Sequence, residues 1–188
     1  MEVFVNRDKD NIQEKFDLKC LVNFPRSSRL LCVGKPHSGK SNDVKNIITK
    51  QEPPFHKVQC LVADPETREY EGFAEKITDV DEIDDYHNLS PEEKLCVIFE
   101  DCSFESMNKK TIHKIDKLCR YGATHCGVTV IIVCQSYFSP PISIRRKIDI
   151  VILHQIDNKT LKMINERLPI SRRKFEYLCE EFLREPYD

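Results

Sequence analysis

The apolar run Leu30-Leu31-Cys32-Val33 and the segment that follows it, Gly34-Lys35-Pro36-His37-Ser38-Gly39-Lys40-Ser41, decide how this chain is read. An apolar run that halts at a glycine is a buried strand entering a turn. After the turn, Val44, Ile47 and Ile48 recur at helical spacing between Ser41 and Lys50, and Pro53-Pro54 forbids continuation. The loop between strand and helix matches G-x-x-x-x-G-K-[ST] in full, in the strand-to-helix setting that the motif requires. Its glycines let backbone N–H groups converge on phosphate oxygens, and the helix N-terminus adds free donors and a partial positive charge. Gly34 to Ser41 therefore predict a cradle for the phosphates of a nucleoside triphosphate, ATP or GTP. Lys40 reaches the β- and γ-phosphates and Ser41 offers its hydroxyl to Mg2+. Lys35, Pro36, His37 and Ser38 fill the variable positions, and the mechanism does not require His37.

Outward from the loop, strands and helices alternate. Val58 to Ala63 reads as a strand, and Leu95 to Phe99 is apolar on both faces, as suits the centre of a parallel sheet covered on both sides. Phe104, Met107, Ile112, Ile115, Leu118 and Cys119 mark one face of a long helix ending near Gly122. Val128 to Cys134 and Ile148 to Leu153 are further β-branched strands. Leu161, Ile164 and Leu168 suggest a helix, and Phe175, Leu178, Cys179 and Phe182 another that Ser171 caps. The expectation is a three-layer α/β fold of the P-loop NTPase type, its mainly parallel sheet having about five or more strands with helices on both faces. One domain covers 1–188, with 1–24 as a peripheral N-terminal segment; Pro65 to Lys94 reads as polar, acidic and peripheral.

Glu100-Asp101 follows directly on an apolar strand, so both carboxylates emerge at its C-terminal end, where ligands of open α/β sheets bind. Phosphoryl transfer to water needs one carboxylate to hold Mg2+, usually through water, and a second to orient or deprotonate the nucleophile. By position Glu100 is the metal carboxylate and Asp101 the base. Gln135 stands at the tip of the strand Val128 to Cys134, where an amide can contact the γ-phosphate or the attacking water. An arginine that completes a neighbour's site stabilises charge on the transferring group, and Arg120 is the first candidate, ahead of Arg145 and Arg146.

Composition bounds the rest. The chain of 188 residues is 40% hydrophobic and 32% charged, and no run approaches the roughly 18 apolar residues of a membrane span. Met1 to Asp10 carries charges of both signs and lacks a secretory signal, so secretion is not expected. The nine cysteines form no C-x-x-C pair, and Cys32, Cys60, Cys96 and Cys134 lie within apolar runs, which reads as buried free thiols in a reducing compartment. The irregular set His113, Cys119, His125 and Cys126 is not backed as a metal site. A formal net charge of -2 leaves no global positive field, so a DNA partner needs a local basic surface such as Arg145-Arg146-Lys147 or Arg172-Arg173-Lys174.

Three segments together resemble a known family: the phosphate loop preceded by Pro25-Arg26-Ser27-Ser28-Arg29, the strand Val97-Ile98-Phe99 with its acidic pair, and the run from Val128 through Gln135-Ser136-Tyr137-Phe138 to Ile144-Arg145-Arg146. The combination resembles the poxvirus-type genome-packaging ATPases of large DNA viruses, virophages and related DNA transposons, within the FtsK/HerA superfamily, and covers about Phe24 to Phe182. The resemblance implies a homo-oligomeric ring, favoured as a hexamer, that hydrolyses ATP to thread double-stranded DNA into a preformed capsid. It implies capsid proteins as further partners, no membrane, and work in host cytoplasm or nucleus where virions assemble, with the virion itself as another location. Each site would combine Lys40, Ser41, Glu100, Asp101 and Gln135 of one copy with an arginine of the next. Glu100 stands where that family more usually has aspartate, so the division of roles between Glu100 and Asp101 stays open. The alternatives are a small nucleoside or nucleotide kinase, with Ser136 to Lys147 as its lid, and a nucleotide-dependent interaction switch.

Overall fold

The computed structural model describes residues 2–5, 27–166, 171, 173–175 and 177. Its centre is a seven-stranded sheet in the order β1-β7-β2-β6-β5-β3-β4. The strands are β1 (Glu2–Val5), β2 (Arg29–Val33), β3 (Lys57–Val62), β4 (Glu75–Ile77), β5 (Leu95–Glu100), β6 (Val128–Cys134) and β7 (Ile150–Leu153). Every pairing is parallel. Side chains alternate between faces along a strand, and a parallel sheet buries both. Leu31, Val33, Val97, Phe99, Val130 and Ile132 accordingly enter one core, while Leu30, Cys32, Cys96, Ile98, Ile131 and Val133 enter the other.

Helix α1 (Lys40–Lys50) covers the second face with Val44 and Ile47. The first face is covered by α2 (Lys109–Lys117), a π-turn (Leu118–Gly122), the short α3 (Ala123–His125), α4 (Ile142–Arg145) and α5 (Asn158–Asn165), through Ile115, Leu118, Ile144 and Ile164. Burying each of these large aliphatic side chains contributes roughly 1.5–3 kcal/mol. The result is the expected α/β architecture with helices on both faces.

Several boundaries differ from the sequence reading. Helix α2 begins at Lys109 and not near Phe104, because the Asn108 side chain accepts the Thr111 N–H at 2.9 Å and caps it. Phe104 and Met107 pack on the core from the preceding turn, and past Lys117 the chain widens into the π-turn Leu118–Gly122 and continues through α3 to His125, beyond the expected end near Gly122. Strand β7 starts at Ile150 because Asp149 instead clamps the start of β2, accepting from Arg29 Nε at 2.7 Å and Nη2 at 2.9 Å.

The N-terminal residues Glu2–Val5 form an edge strand beside β7, and within Pro65 to Lys94 a short β4 pairs with β3 at the opposite edge. Part of that acidic stretch caps turns, with Asp79 accepting from the Asp81 N–H and Asp85 from the His87 N–H. Ser171 Oγ accepts the Lys174 N–H at 3.4 Å, as expected of a cap. Leu168, Leu178, Cys179, Phe182 and, of the second basic cluster, Arg172 lie outside the described residues.

The described cysteines are free thiols, all buried except the half-buried Cys126. No group of three metal-ligating side chains occurs among the described residues, and no described helix is long and apolar enough to cross a membrane.

Candidate nucleotide site

The sheet's C-terminal edge builds the site. The ladder continues past the strand ends: Gly34 N–H donates to Cys134 O at 3.2 Å, Asp101 N–H to Val133 O at 3.0 Å, and His154 N–H to Val33 O at 2.8 Å. These bonds tie the tips of β2, β6, β5 and β7 together, so residues far apart in sequence converge.

The loop Gly34 to Ser41 joins β2 to α1 as the motif requires. Gly39 precedes the helix with φ of 92°, a left-handed conformation that favours glycine. Gly34 is held by packing: a Cβ there would lie 2.5 Å from His154 Cβ and 2.8 Å from Ser38 Oγ. His37 also has positive φ, at 61°, and with Lys35 and Pro36 it is exposed. The Lys40 side chain is buried and its ammonium donates to Gly34 O at 3.0 Å and Lys35 O at 2.9 Å, which keeps a cation within the loop. Ser38 Oγ is buried and finds no hydrogen-bond partner among the described residues.

Glu100 ends β5 half-buried, and Asp101 follows it exposed, with φ of 42°. Burial pushes the Glu100 carboxyl up to about 7; the hydrogen bond from Tyr70 opposes the rise, and the Asp101 charge adds to it. The Gln135 amide Nε2 donates to Asp101 Oδ2 at 3.2 Å. Gln135 and Asp101 thus meet at the strand tips, with Glu100 beside them at the end of β5.

Arg120 is not in this site. It lies exposed in the π-turn, next to Cys119, whose carbonyl accepts from Arg29 Nη1 at 3.3 Å at the start of β2. The loop is at the other end of that strand, roughly 17 Å away at the usual rise per residue. Arg145 is half-buried, donates from Nε to Pro140 O at 2.8 Å, and stacks over the Tyr137 and Phe138 rings with Cζ 5.5 and 5.0 Å from their centroids. Arg146 is exposed.

Two side chains at the site were not read from the sequence. His154, at the tip of β7, packs beneath the loop: Nδ1 lies 2.9 Å from Ser38 O and Nε2 3.2 Å from Asp43 Oδ2. A carbonyl only accepts, so Nδ1 carries a hydrogen. Applying to β7 the strand-tip rule that marked Glu100 and Gln135 would have found it. Tyr70 comes from the stretch read as peripheral and donates to Glu100 Oε2 at 2.8 Å; no local pattern marks it.

The donor set suits Mg2+. Ser41 and Glu100 present a hydroxyl and a carboxylate, hard oxygens of the kind this cation prefers, and both interact with the Tyr70 phenol, so they lie close together.

No family model matches the chain, and no curated protein is similar to it in sequence. Solved structures do share its fold. The DNA-packaging ATPase B204 of Sulfolobus turreted icosahedral virus superposes with a TM-score of 0.60 at 16% identity, over 87% of this chain and 90% of that one. The genome-packaging NTPase B204 of Sulfolobus turreted icosahedral virus 2, solved with ATP-gammaS, gives 0.59 at 14% identity, over 87% and 91%. The pCW3 conjugation coupling protein TcpA, with ATPgS, gives 0.53 at 15% identity over 71% of this chain, which spans only 51% of that one. At these identities the likeness is one of fold: the chain has the α/β fold of P-loop NTPases.

Proposed function

We propose that this chain is an ATP hydrolase that drives double-stranded DNA into a viral capsid, acting as a homo-oligomeric ring. The observation that carries the hydrolytic part is the placement of β6 between β2 and β5, which sets Gln135 against Asp101 beside the phosphate loop. An acceptor-only carboxylate and a donor amide on one open spot are the groups needed to orient a water molecule and take its proton.

The loop N–H groups and Lys40 hold the β- and γ-phosphates. Gln135 and Asp101 direct water at the γ-phosphorus; the new P–O bond forms as the bond to the β-phosphate oxygen breaks, and Asp101 receives the water proton. Ser41 and Glu100 would hold Mg2+, which when bound neutralises charge on the β- and γ-phosphate oxygens. Lys40 carries part of the same charge from within the loop.

A kinase would need a mobile lid over the phosphates, whereas Tyr137 and Ile144 anchor the segment Ser136 to Lys147 in the core. Support for the DNA part is the fold shared with B204 and the sequence segments that resemble packaging ATPases. Arg120, at the far end of β2 from its own loop, reaches a nucleotide site only if that site belongs to a neighbouring copy, which fits a ring favoured as a hexamer. Capsid proteins as partners, and host sites of virion assembly as the place of action, complete the reading.

The test is phosphate release from ATP with and without double-stranded DNA, for this chain, Lys40→Ala and Asp101→Asn. DNA-stimulated release that both substitutions abolish is expected. Transfer of phosphate to an added nucleoside would replace the reading with a kinase, and binding without turnover with a switch.

A further inference from the structure

We propose that Tyr70 is a positioning residue that holds Glu100 and Ser41 in place for a divalent cation, an inference that rests on the nucleotide-hydrolysing reading of this site. Its phenol donates to Glu100 Oε2 at 2.8 Å, and the Ser41 hydroxyl interacts with the same phenol. One oxygen therefore links both protein groups assigned to Mg2+, from an element that belongs to neither the loop nor β5. Hydrogen bonds that orient a metal-binding carboxylate from outside fix its geometry, and losing one typically weakens metal binding about 10- to 100-fold.

The surroundings argue against a tyrosine that merely fills the core. The strap from Asp64 to Phe73, between β3 and β4, is exposed along most of its length, yet Tyr70 is only 4% exposed. Tyr70 packs into the core beside Cys60 and Val62, yet a cavity of about 470 Å3 opens along the same wall, so the ring is not closely packed on every side. The strap is instead clamped to α1: Lys45 Nζ pairs with Glu69 Oε1 at 3.0 Å and stands 5.8 and 5.7 Å from the Tyr70 and Phe73 ring centroids. Lys45 lies one helical turn beyond Ser41, so the helix that carries one metal donor also fixes the residue that aims the other.

Tyr70→Phe removes the hydroxyl and keeps the ring. The experiment measures affinity for a fluorescent ADP analogue in EDTA and in graded Mg2+, together with the Mg2+ concentration for half-maximal ATP hydrolysis. Unchanged metal-free affinity with an Mg2+ requirement raised about tenfold is expected, and Lys45→Met should move the requirement the same way by less. An Mg2+ requirement equal to that of the unsubstituted protein would make Tyr70 a packing residue, and a lower one would make the phenol a competitor of the cation; either overturns the proposal. Nucleotide affinity and hydrolysis that ignore Mg2+ in the unsubstituted chain would instead defeat the hydrolytic reading on which it stands.

Discussion

The Gln135 amide donates to the Asp101 carboxylate across 3.2 Å, joining the tips of β6 and β5. Since both side chains are exposed, the contact is not a product of packing and leaves a carboxylate oxygen open to solvent. Asp101→Asn should lower single-turnover hydrolysis about 10²- to 10⁴-fold while nucleotide affinity holds. Gln135→Ala should reduce it less, and the double variant should lose less than the product of the single losses, because the residues act as a pair. Additive losses would show that they do not share the water.

Glu100 makes stability depend on pH with an unusual sign for an acid. Burial raises its pKa from 4.5 to about 7, so between these values the folded state binds more protons than the unfolded state. Stability from this group is therefore present below about pH 4.5 and lost as pH rises through about 7; the shift corresponds to about 3 kcal/mol, and solvent screening of the half-buried carboxyl reduces it. Urea unfolding of Glu100→Gln should show a flatter pH dependence between 5 and 8 than the unsubstituted protein. Glu100→Gln should be the more stable of the two at pH 8. Equal slopes would mean that the carboxyl is effectively solvated.

Gly34 and His154 form one close-packed unit beneath the loop. A Cβ on Gly34 would meet His154 Cβ at 2.5 Å, so Gly34→Ala should displace the loop, cost about 1–3 kcal/mol of stability and abolish nucleotide binding. His154→Ala removes the contact to Ser38 O and should weaken ATP binding about tenfold, whereas His154→Asn, which keeps a donor near Nδ1, should recover part of it. Nucleotide titration with thermal melting separates loss of the loop's support from loss of the fold.

Arg120 offers a test of assembly. Arg120→Ala should bind nucleotide normally and hydrolyse it about 10³-fold or more slowly, the effect expected of an arginine supplied in trans. Mixing it with Lys40→Ala chains should restore part of the activity, since some sites would then pair an intact Lys40 with an intact Arg120. Arg120→Ala that hydrolyses ATP at the unsubstituted rate would remove this residue from the reaction, and an inactive Arg120→Ala that Lys40→Ala chains do not rescue would show that it does not act in trans.

DNA binding by a ring lined with basic side chains should weaken steeply as salt rises, with a log–log slope near -0.9 per phosphate contacted. Fluorescence anisotropy of a labelled duplex between low and physiological salt measures it, and salt-independent binding would contradict the proposed partner.

Much of the fold was legible along the chain because its signals are local. The apolar runs ending at Val33, Phe99, Cys134 and Leu153 are each continuous over four or more residues, and each lies in a strand of the sheet. The positions of Glu100, Asp101 and Gln135 were legible for the same reason: each stands directly after an apolar strand, and the structure has them at the C-terminal tips of β5 and β6. The start of α2 was misread because Phe104 and Met107 continue the helical spacing, while the Asn108 cap that overrides it looks ordinary in the sequence. The edge strand Glu2–Val5 carries so short a pattern that only its pairing with β7 reveals it.

The sequence by itself determined the phosphate loop, since G-x-x-x-x-G-K-S is a backbone geometry written in consecutive residues. It determined the class of fold too, since a parallel sheet buried on both faces needs continuous apolar strands. Tertiary structure alone decided that β6 lies between β2 and β5, that Tyr70 reaches Glu100 from 30 residues away, and that His154 props Ser38 across 116. Strands of similar composition can pair in many orders. What selects one is the packing of the helices and straps that cover them, a sum over contacts between residues distant in sequence, which no single segment encodes.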